Sequence, residues 1–384
     1  MGLRSYFIVS VSLLVPTLAY VFYEADKVGF RKEITASMVL CVFGFLGTVL
    51  AIPRMTHLFI KADIFGFDIN KRGTPGGDIK IPESLGLISA TMYLVCLCFL
   101  HLVHEQPILY TAALSSVTLM TLLGFADDML DLKWRYKLFL PLIACLPLLV
   151  NYTGSTSVMI PRPLRDYVGL NLVNVGYLYH LYMALMSIFC TNAINIYAGL
   201  NGLEAGQSFI ICCFIMVHNA MQFSPVGDKD NLDSLRANNL LSLDILFPFL
   251  GCCLGILYHN WHPSKIFVGD TFCYFAGMTF AMASILGHFS ETLLIMFIPQ
   301  LINFVYSLPQ LLGLIHCPRH RLPKYNKDTG KLEGIRSNLN LVNLILILTG
   351  PMTEENLCRL CLVMQVVFCC LGLCLRFVVL KLIT

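Results

Sequence analysis

Charged residues are scarce in this sequence of 384 residues. Asp, Glu, Lys and Arg make up 13% of it, whereas soluble domains carry about 25%. Hydrophobic residues make up 57% of the chain, and the mean hydropathy is +0.73. Because so few polar residues cannot cover a folded chain in water, the composition excludes a soluble globular protein and indicates an integral membrane protein.

Signatures of several function classes are also absent. The sequence has no G-x-x-x-x-G-K-[ST] loop, no G-x-G-x-x-G after a strand and no G-x-S-x-G elbow, which removes support for ATP-driven transport and hydrolase chemistry. The formal net charge of +3 does not indicate nucleic-acid binding. Cys358 and Cys361 form a lone C-x-x-C without the further ligands of a zinc site. Most other cysteines lie in apolar runs, where they act as small hydrophobic residues.

Apolar segments predict an all-α fold, a polytopic membrane bundle of about ten transmembrane helices. The segments are 34–53, 84–104, 108–126, 138–150, 175–191, 206–222, 241–258, 268–287, 292–314 and 357–381. The run 138–150 is short and contains two prolines, so it must extend into its flanks or kink. The apolar segment 338–350 is about half a span long and is predicted to be interfacial or re-entrant.

The predicted organisation is an N-terminal hydrophobic extension, residues 1–32, followed by one polytopic helical domain, residues 33–384. Segment 6–23 resembles a signal peptide in length and polarity. No small-x-small cleavage pattern stands out after it, because Tyr20, Phe22 and Tyr23 are poor candidates. We therefore predict a retained extra helix at the N-terminus.

The loops predict which side of the membrane carries the polar clusters. If the spans alternate, loops 54–83, 127–137, 192–205, 259–267 and 315–356 share one side. This set holds most loop Lys and Arg residues, so the positive-inside rule makes that side cytosolic. The opposite loops are short or acidic, with Glu105, Asp228, Asp230, Asp233 and Glu291. They also contain Asn151-Tyr152-Thr153, a glycosylation acceptor pattern.

Three carboxylates lie where an apolar helix ends, in segment 124–137. Asp127 and Asp131 are four residues apart and Asp128 and Asp131 three, so a helix would group them. Adjacent carboxylates resist joint ionisation unless a cation or a basic side chain compensates. A solvated helix end is the structural alternative. Two consecutive Asp residues at a membrane boundary are costly, which favours a functional site.

Two further segments of the same loop set carry possible metal ligands. Asn192 and Asn195 lie on one helical face, and Asp270 follows a glycine at the mouth of a helix. Amide and carboxylate oxygens together suit a hard cation such as Mg²⁺. The structural alternatives are a turn at Asn201-Gly202 and a helix cap at Asp270.

A basic segment, 317–324, places Arg319, His320 and Arg321 between two prolines. Prolines restrict the backbone, and guanidinium groups bind phosphate through two parallel hydrogen bonds. An ordinary positive-inside loop that contacts anionic lipid is the alternative. This alternative is weakened by the carboxylates on the same membrane face, because anionic lipid alone does not account for them.

One membrane face therefore gathers Asp, Asn and Arg, the groups that hold a metal-bound diphosphate. The alternative outside enzymes is a nucleotide-sugar transporter, since it too would be apolar, helical and basic on one side. A transporter predicts polar residues at mid-membrane. The four clusters lie instead at loop mouths, which favours an enzyme acting at the membrane interface.

The four segments resemble the polyprenyl-phosphate N-acetylhexosamine-1-phosphate transferase family, which includes bacterial enzymes that make lipid-linked peptidoglycan precursors. The resemblance runs from about residue 33 to the C-terminus. It is carried most specifically by Asn192-Ala193-Ile194-Asn195, Asn201-Gly202-Leu203-Glu204-Ala205-Gly206 and Phe267-Val268-Gly269-Asp270-Thr271-Phe272. This resemblance implies ten transmembrane helices and a Mg²⁺-dependent site on the cytosolic face.

Resemblance to the eukaryotic members implies the reaction and its location. N-acetylglucosamine (GlcNAc) 1-phosphate would pass from UDP-GlcNAc to dolichyl phosphate with release of UMP. This would be the first step of the lipid-linked oligosaccharide for protein N-glycosylation, in the endoplasmic reticulum membrane. The same reaction with another sugar or lipid is the second alternative. The sequence does not determine the oligomeric state, and a homodimer is one option.

The resemblance also implies residue roles. Asn195 and Asp270 would ligate Mg²⁺, Lys137 would contact the diphosphate or the lipid phosphate, and Asp127 and Asp128 would position the acceptor phosphate or act as base. The implied substrate-binding residues are Asn201, Gly202 and Phe267 for uridine, Arg319, His320 and Arg321 for the diphosphate and sugar, Trp134 and Glu83 for the sugar pocket, and Asn192.

The sequence departs from the eukaryotic pattern in three places. Asp131 stands where related enzymes can carry Asn, and its added charge makes a single base assignment less safe. The loop before the last helix is short, which leaves the sugar specificity open. The extra N-terminal segment leaves the location of the N-terminus open.

Overall fold

The part of the chain that the structure describes folds as a bundle of α-helices with three small sheets. The structure, a computed structural model, describes residues 2–103, 107–152, 154, 156–159, 169, 172–223, 229–318 and 320–379. Within these residues the helices are α1 (Gly2–Lys27), α2 (Arg31–Lys61), α3 (Gly86–Val103), α4 (Pro107–Leu130), α5 (Trp134–Val150), α6 (Tyr177–Ile196), α7 (Leu203–Met221), α8 (Lys229–Asn260), α9 (Gly269–Leu286), α10 (Ser290–Met296), α11 (Ile298–Leu311), α12 (Leu341–Thr349) and α13 (Glu354–Cys374). The predicted all-α class is confirmed.

Short two-stranded antiparallel sheets lie in the connections between helices. They are β1 (Phe65–Gly66) with β2 (Ile81–Pro82), β3 (Ser157–Met159) with β4 (Leu172–Asn174), and β5 (Lys324–Asn326) with β6 (Lys331–Glu333). A single 3₁₀ turn, Ile69–Lys71, lies between β1 and β2, and a π-helical turn, Leu375–Val379, follows α13. The sheets shape the loops without forming a core of their own.

All ten predicted apolar segments coincide with helices, although several boundaries differ. Helix α5 begins at Trp134, so the short run 138–150 extends into its N-terminal flank, as its length required. Helix α8 begins at Lys229 rather than near residue 241. Asp233, which we predicted in a loop, therefore lies in the first turns of a helix.

The number of membrane crossings stays a prediction. Among the described residues, five helices are long and apolar enough to span a membrane, and the bent pair α10 and α11 makes a sixth. The five are Arg31–Lys61, Tyr110–Leu130, Leu203–Met221, Leu232–Asn260 and Glu354–Phe377. The apolar parts of α3 and α5, Gly86–Leu100 and Tyr136–Val150, are shorter. Helix α12 has nine residues, about 14 Å at the usual rise, and is too short to cross.

The predicted segment 292–314 is a broken helix rather than one straight span. Helices α10 and α11 meet at Phe297 with a bend of 69°. Pro299 lies in the first turn of α11. Because proline has no backbone N–H and its ring clashes with the preceding turn, it favours a kink or a break at this position.

Helix α9 lies in the centre of the bundle. Every residue from Thr271 to Leu286 is buried, and the helix packs against α3, α4, α6 and α8. A helix that is apolar all round requires such a position. The two ends of α9 therefore have their places set by four neighbouring helices.

Helix α1 packs on this bundle, mainly against α7. Val21 and Ala25 on α1 are fully buried. The predicted N-terminal extension is thus helical, and its division from residues 33–384 stays a prediction.

Segments that the sequence assigned to one side of the membrane meet at one end of the bundle. The loop after α2 contacts the α8–α9 loop, where the backbone N–H of Phe267 donates to the carbonyl oxygen of Pro82 at 2.8 Å. It also contacts the α6–α7 loop, where the Asn70 amide donates to the carbonyl oxygen of Gly199 at 2.8 Å. These contacts join three of the five predicted loops.

Candidate active site

A lysine between two aspartates forms the centre of the site. The Lys137 Nζ lies 2.9 Å from the Asp127 Oδ2 and 2.9 Å from the Asp270 Oδ2. The Tyr274 hydroxyl donates to the same Asp127 oxygen at 2.7 Å. Asp127 is buried, whereas about a quarter of the Lys137 and Asp270 side chains is exposed. The cluster is therefore reachable from solvent on its Lys137 and Asp270 side.

Asp128 has a different set of partners from Asp127. Its Oδ1 accepts a hydrogen bond from the Asp270 backbone N–H at 2.6 Å. Its Oδ2 accepts from the backbone N–H and the hydroxyl of Thr271, at 3.1 and 2.5 Å. A carboxylate at this place satisfies the free N–H groups at the start of α9 and interacts favourably with the helix dipole. Asp128 thus holds the turn that carries Asp270.

The end of α4 places the two aspartates. Asp131 adopts a left-handed conformation, with φ of 48°, and ends the helix. The Asp127 Oδ1 then accepts from the backbone N–H of Leu132 at 3.1 Å, which fixes that carboxylate. A Cβ at Gly124 would lie 2.7 Å from the Thr271 Cα, so only glycine allows α4 to approach α9 this closely.

Acidic groups outnumber basic groups in this cluster. Glu83, on the exposed rim, stands near Asp128 and Asp270. Desolvation by the surrounding protein, and then the charges of these two aspartates, raise the pKa of Glu83 above its ordinary value of 4.5. Against Glu83 and the three aspartates, Lys137 is the cation in direct contact. The excess negative charge favours binding of a further cation.

The oxygen atoms at this site fit Mg²⁺ only if the substrate phosphates supply some of the metal ligands. Within the described residues, no group of three or more His, Cys, Asp and Glu side chains is arranged to hold a metal ion. Mg²⁺ is commonly held by one or two protein oxygens together with waters and substrate phosphates. The accessible Asp270 carboxylate and a nearby amide would suffice for such a site.

The two asparagines on α6 differ in their contacts. The Asn192 amide donates to the carbonyl oxygens of Lys137 at 3.2 Å and Ile188 at 2.9 Å. Asn192 therefore ties α6 to the start of α5, where Lys137 lies. Asn195, one turn further on, is half-buried. Its implied metal-binding role stays a prediction.

Asn201 and Gly202 lie in a second polar cluster. The Asn201 backbone N–H donates to the Glu354 Oε1 at 3.0 Å, and its amide donates to the Asp68 Oδ2 at 3.0 Å. Lys71 lies 2.6 Å from the same Asp68 oxygen. Gly202 begins α7 with φ of +87°, a conformation that favours glycine, and packs against Trp261. Two distant loops and the start of α13 thus hold the Asn201-Gly202 turn.

Phe267 and Glu83 lie on facing loops. The Leu85 backbone N–H donates to the Phe267 carbonyl oxygen at 3.2 Å. The Phe267 ring and the Glu83 Oε2 both lie within 3.4 Å of the position that a Cβ on Gly66 would take. The structure therefore brings these two predicted residues together beside β1.

The basic segment is only partly described. Arg319 and the side chain of Trp134 lie outside the described residues. His320 is exposed and Arg321 is half-buried. Desolvation lowers the pKa of the Arg321 guanidinium from its ordinary value, and its Nη1 donates to the carbonyl oxygen of Leu339 at 3.4 Å. Leu322 packs on Gly199, so the segment lies against the α6–α7 loop.

The opposite-side glycosylation pattern is also only partly described, because Thr153 lies outside the described residues. The Asn151 amide donates to the carbonyl oxygen of Pro147 at 2.8 Å, at the end of α5.

Sequence reasoning missed four residues that hold the site: Asp68, Asn70, Tyr274 and Glu354. The Asn70 amide donates to the Glu354 Oε1 at 3.1 Å, so Glu354 links two loops at the start of α13. The polar run Asp68-Ile69-Asn70-Lys71 was a signal available in the sequence. Tyr274 follows Asp270 by one helical turn, a spacing that could also have been used.

Comparison with known proteins supplies the family. A family model described as "Glycosyl transferase family 4" matches residues 110–288, which include the Asp127–Lys137–Asp270 cluster. A Dictyostelium discoideum protein named UDP-N-acetylglucosamine–dolichyl-phosphate N-acetylglucosaminephosphotransferase is 45% identical over 350 residues, covering 86% of each chain. This chain belongs to glycosyl transferase family 4.

Other similar proteins extend the family across kingdoms. A Saccharomyces cerevisiae protein with the same name is 36% identical over 411 residues, covering 88% of this chain and 89% of its own. A phospho-N-acetylmuramoyl-pentapeptide-transferase of Acetivibrio thermocellus is 31% identical over 244 residues, covering 59% of this chain and 64% of its own. The resemblance drawn from the four polar segments is confirmed.

Proposed function

We propose that this family 4 member transfers GlcNAc 1-phosphate from UDP-GlcNAc to dolichyl phosphate, giving GlcNAc-diphosphodolichol and UMP. The observation that carries the proposal is the Asp127–Lys137–Asp270 cluster, at one end of an apolar bundle, in a chain 45% identical to a protein named for this reaction. The product is the first intermediate of the lipid-linked oligosaccharide for protein N-glycosylation. The family assignment favours transfer over transport of the nucleotide sugar.

The chemistry is a phosphoryl-type substitution. An oxygen of the dolichyl phosphate forms a bond to the β-phosphorus of UDP-GlcNAc. The bond from that phosphorus to the bridging oxygen breaks, and UMP leaves with the electron pair. A phosphate monoester has a second pKa of about 6, so the acceptor is mostly ionised at neutral pH without a protein base.

Protein side chains then act chiefly by charge and position. Lys137, held between Asp127 and Asp270, would offset charge on the diphosphate or the acceptor phosphate. Asp127 would fix the Lys137 ammonium and orient the acceptor. Arg319, His320 and Arg321 would hold the diphosphate and sugar, with Trp134 and Glu83 at the sugar pocket. Uridine would be bound by Asn201, Gly202 and Phe267.

A divalent ion belongs to the proposal. Asp270 and Asn195 would hold Mg²⁺, with Asp128 fixing the turn that carries Asp270. When bound, Mg²⁺ supplies positive charge that stabilises the UMP leaving group.

We further propose that the protein works in the endoplasmic reticulum membrane, with this site facing the cytosol. The concentration of Lys and Arg in the loops of the site supports this orientation. A homodimer is compatible with the proposal and is not required for the site.

A defined assay tests the reaction. Purified protein in detergent with Mg²⁺, UDP-GlcNAc and dolichyl phosphate should release UMP and form a lipid-linked GlcNAc diphosphate. Asp270→Ala should abolish turnover, while Cys361→Ala, a buried position on α13, should leave turnover close to wild type. Absence of UMP from folded protein, or equal losses in the two variants, would contradict the proposal.

A further inference from the structure

Three buried glutamines form a hydrogen-bonded chain between helices. Gln207 on α7, Gln300 on α11 and Gln365 on α13 are each fully buried. The Gln300 amide donates to the Gln207 Oε1 at 2.7 Å and to the Gln365 Oε1 at 2.7 Å. Polar side chains inside apolar helices are costly and bond to one another across helices when present.

One end of the chain is attached to the C-terminal end of α6. The Gln207 amide donates to the carbonyl oxygens of Tyr197 at 2.8 Å and Ile194 at 3.4 Å. The last carbonyl oxygens of a helix have no partner within the helix, so these bonds replace missing ones. Ile194 immediately precedes Asn195, and Tyr197 lies two residues after it. Gln207 therefore fixes the backbone on both sides of Asn195.

The other end of the chain is attached to the break between α10 and α11. The Gln365 amide donates to the carbonyl oxygen of Met296, the last residue of α10, at 2.8 Å. Gln300 lies in the first turn of α11, next to Pro299. The chain of glutamines thus joins the break between α10 and α11 to the last turn of α6, which carries Asn195.

The hydrogen-bonded chain of three glutamines is not arranged for stability alone. The Gln300 Oε1 is buried and has no hydrogen-bond partner within the described residues. An unpaired buried acceptor costs free energy that an apolar side chain of similar size would avoid. A structural role by itself would be served better by such an apolar residue.

We propose that Gln207 is a positioning residue for the metal ligand Asn195, and that Gln300 and Gln365 hold the Gln207 amide in place. The inference rests on the proposed function, in which Asn195 and Asp270 bind Mg²⁺. Gln207 acts through the α6 backbone, as residues behind a metal ligand commonly do by fixing its orientation. Loss of the Gln207 amide should therefore weaken metal binding rather than remove a group from the reaction.

The test compares Gln207→Met and Gln300→Met with wild type in two measurements. One is the Mg²⁺ concentration for half-maximal UMP release. The other is the Mg²⁺ concentration for the half-maximal rise in melting temperature with UDP-GlcNAc and no acceptor, which needs no turnover. Residues behind a metal ligand change affinity by roughly 10- to 100-fold. We expect about a tenfold rise in both values for Gln207→Met and a smaller rise for Gln300→Met.

Two further measurements separate positioning from general damage. The KM for dolichyl phosphate should change by less than about twofold in each variant. The protein with both Gln207→Met and Gln300→Met should have the Mg²⁺ values of Gln207→Met alone, because the effects of linked residues are not additive. Asn303→Met is the matched control. Asn303 is buried on α11, three residues from Gln300, and accepts from the Leu341 backbone N–H. Its substitution should leave both Mg²⁺ values unchanged.

Unchanged Mg²⁺ values in folded, active Gln207→Met protein would overturn the inference. Should that variant not fold, Gln300→Met decides by the same criterion, because the Gln300 amide donates to Gln207 and Gln365 and leaves the bonds of Gln207 to α6 in place. Loss of turnover without a Mg²⁺ shift would identify a purely structural role. Wild-type protein that neither releases UMP nor responds to Mg²⁺ would overturn the proposed function as well.

Discussion

Adjacent aspartates at the end of α4 have different surroundings despite their identical chemistry. Asp127 contacts the Lys137 ammonium and the Tyr274 hydroxyl. Both oxygens of Asp128 accept hydrogen bonds from the first residues of α9. The two aspartates therefore have different roles at this site: Asp127 holds the Lys137 ammonium, and Asp128 holds the start of the helix that carries Asp270.

Substitution of each aspartate should have a different effect. Asp128→Ala removes the cap of α9 and should lower the free energy of unfolding by about 1–2 kcal/mol. Asp127→Asn should reduce turnover by about 100-fold or more, with a smaller change in melting temperature. Thermal unfolding in detergent and UMP release measure the two effects. Wild-type stability of Asp128→Ala would contradict its role as a cap.

The carboxyl of Glu83 should make stability depend on pH. Its pKa is raised by desolvation and by Asp128 and Asp270, so the folded protein holds this proton more tightly than the unfolded chain. The stabilising contribution is complete below the ordinary value of 4.5 and is lost as the pH rises through the folded-state pKa. In EDTA, as the pH rises from 4.5 through the folded-state pKa, the melting temperature of Glu83→Gln should therefore fall less than that of wild type. Parallel curves for the two proteins would refute the assignment.

The close contact between α2 and α8 depends on two glycines in α8. A Cβ on Gly251 would collide with the carbonyl oxygen of Cys41 on α2, and one on Gly255 would lie 2.7 Å from the Thr48 Cβ. Small residues four apart are a common means of bringing helices together in membranes. Helix α2 leads directly into the loop with Asp68 and Asn70, so this contact also places part of the site.

Gly251→Ala should therefore overpack the α2–α8 interface and lower the free energy of unfolding by about 1–3 kcal/mol. Cys98→Ala, at an exposed position on α3, is the control and should unfold with wild type. Thermal unfolding of the purified proteins distinguishes them. A Gly251→Ala protein with unchanged melting temperature would show that the interface can expand at little cost.

At the scale of the whole molecule, the proposal requires the site segments to face one compartment. In sealed microsomes, a membrane-impermeant maleimide should react equally with the exposed Cys317 and with Asp78→Cys placed in a Cys317→Ser background. Asp233→Cys in the same Cys317→Ser background lies at the end of α8 away from the site, and it should react only after the membrane is opened. Labelling of Cys317 and Asp78→Cys from different sides would contradict the arrangement.

The helical segments were largely predictable, because a long apolar run can be recognised from the local sequence without knowing which other segments it packs against. The bend between α10 and α11 was the main difference. Pro299 was visible in the sequence, but one proline in an apolar run predicts either a kink or a break. The Gln365 amide, 69 residues away, bonds the Met296 carbonyl oxygen at the break.

The sequence by itself determined that this is an apolar helical protein with polar clusters at helix ends, because composition and spacing are local properties. Only the tertiary structure decided which side chains in those clusters meet. Asp127 and Asp128 are neighbours in sequence, yet each accepts a hydrogen bond from a residue on α9 that lies more than 130 residues away in the sequence. The approach of α4 to α9, which requires Gly124, sets the different roles of these two carboxylates.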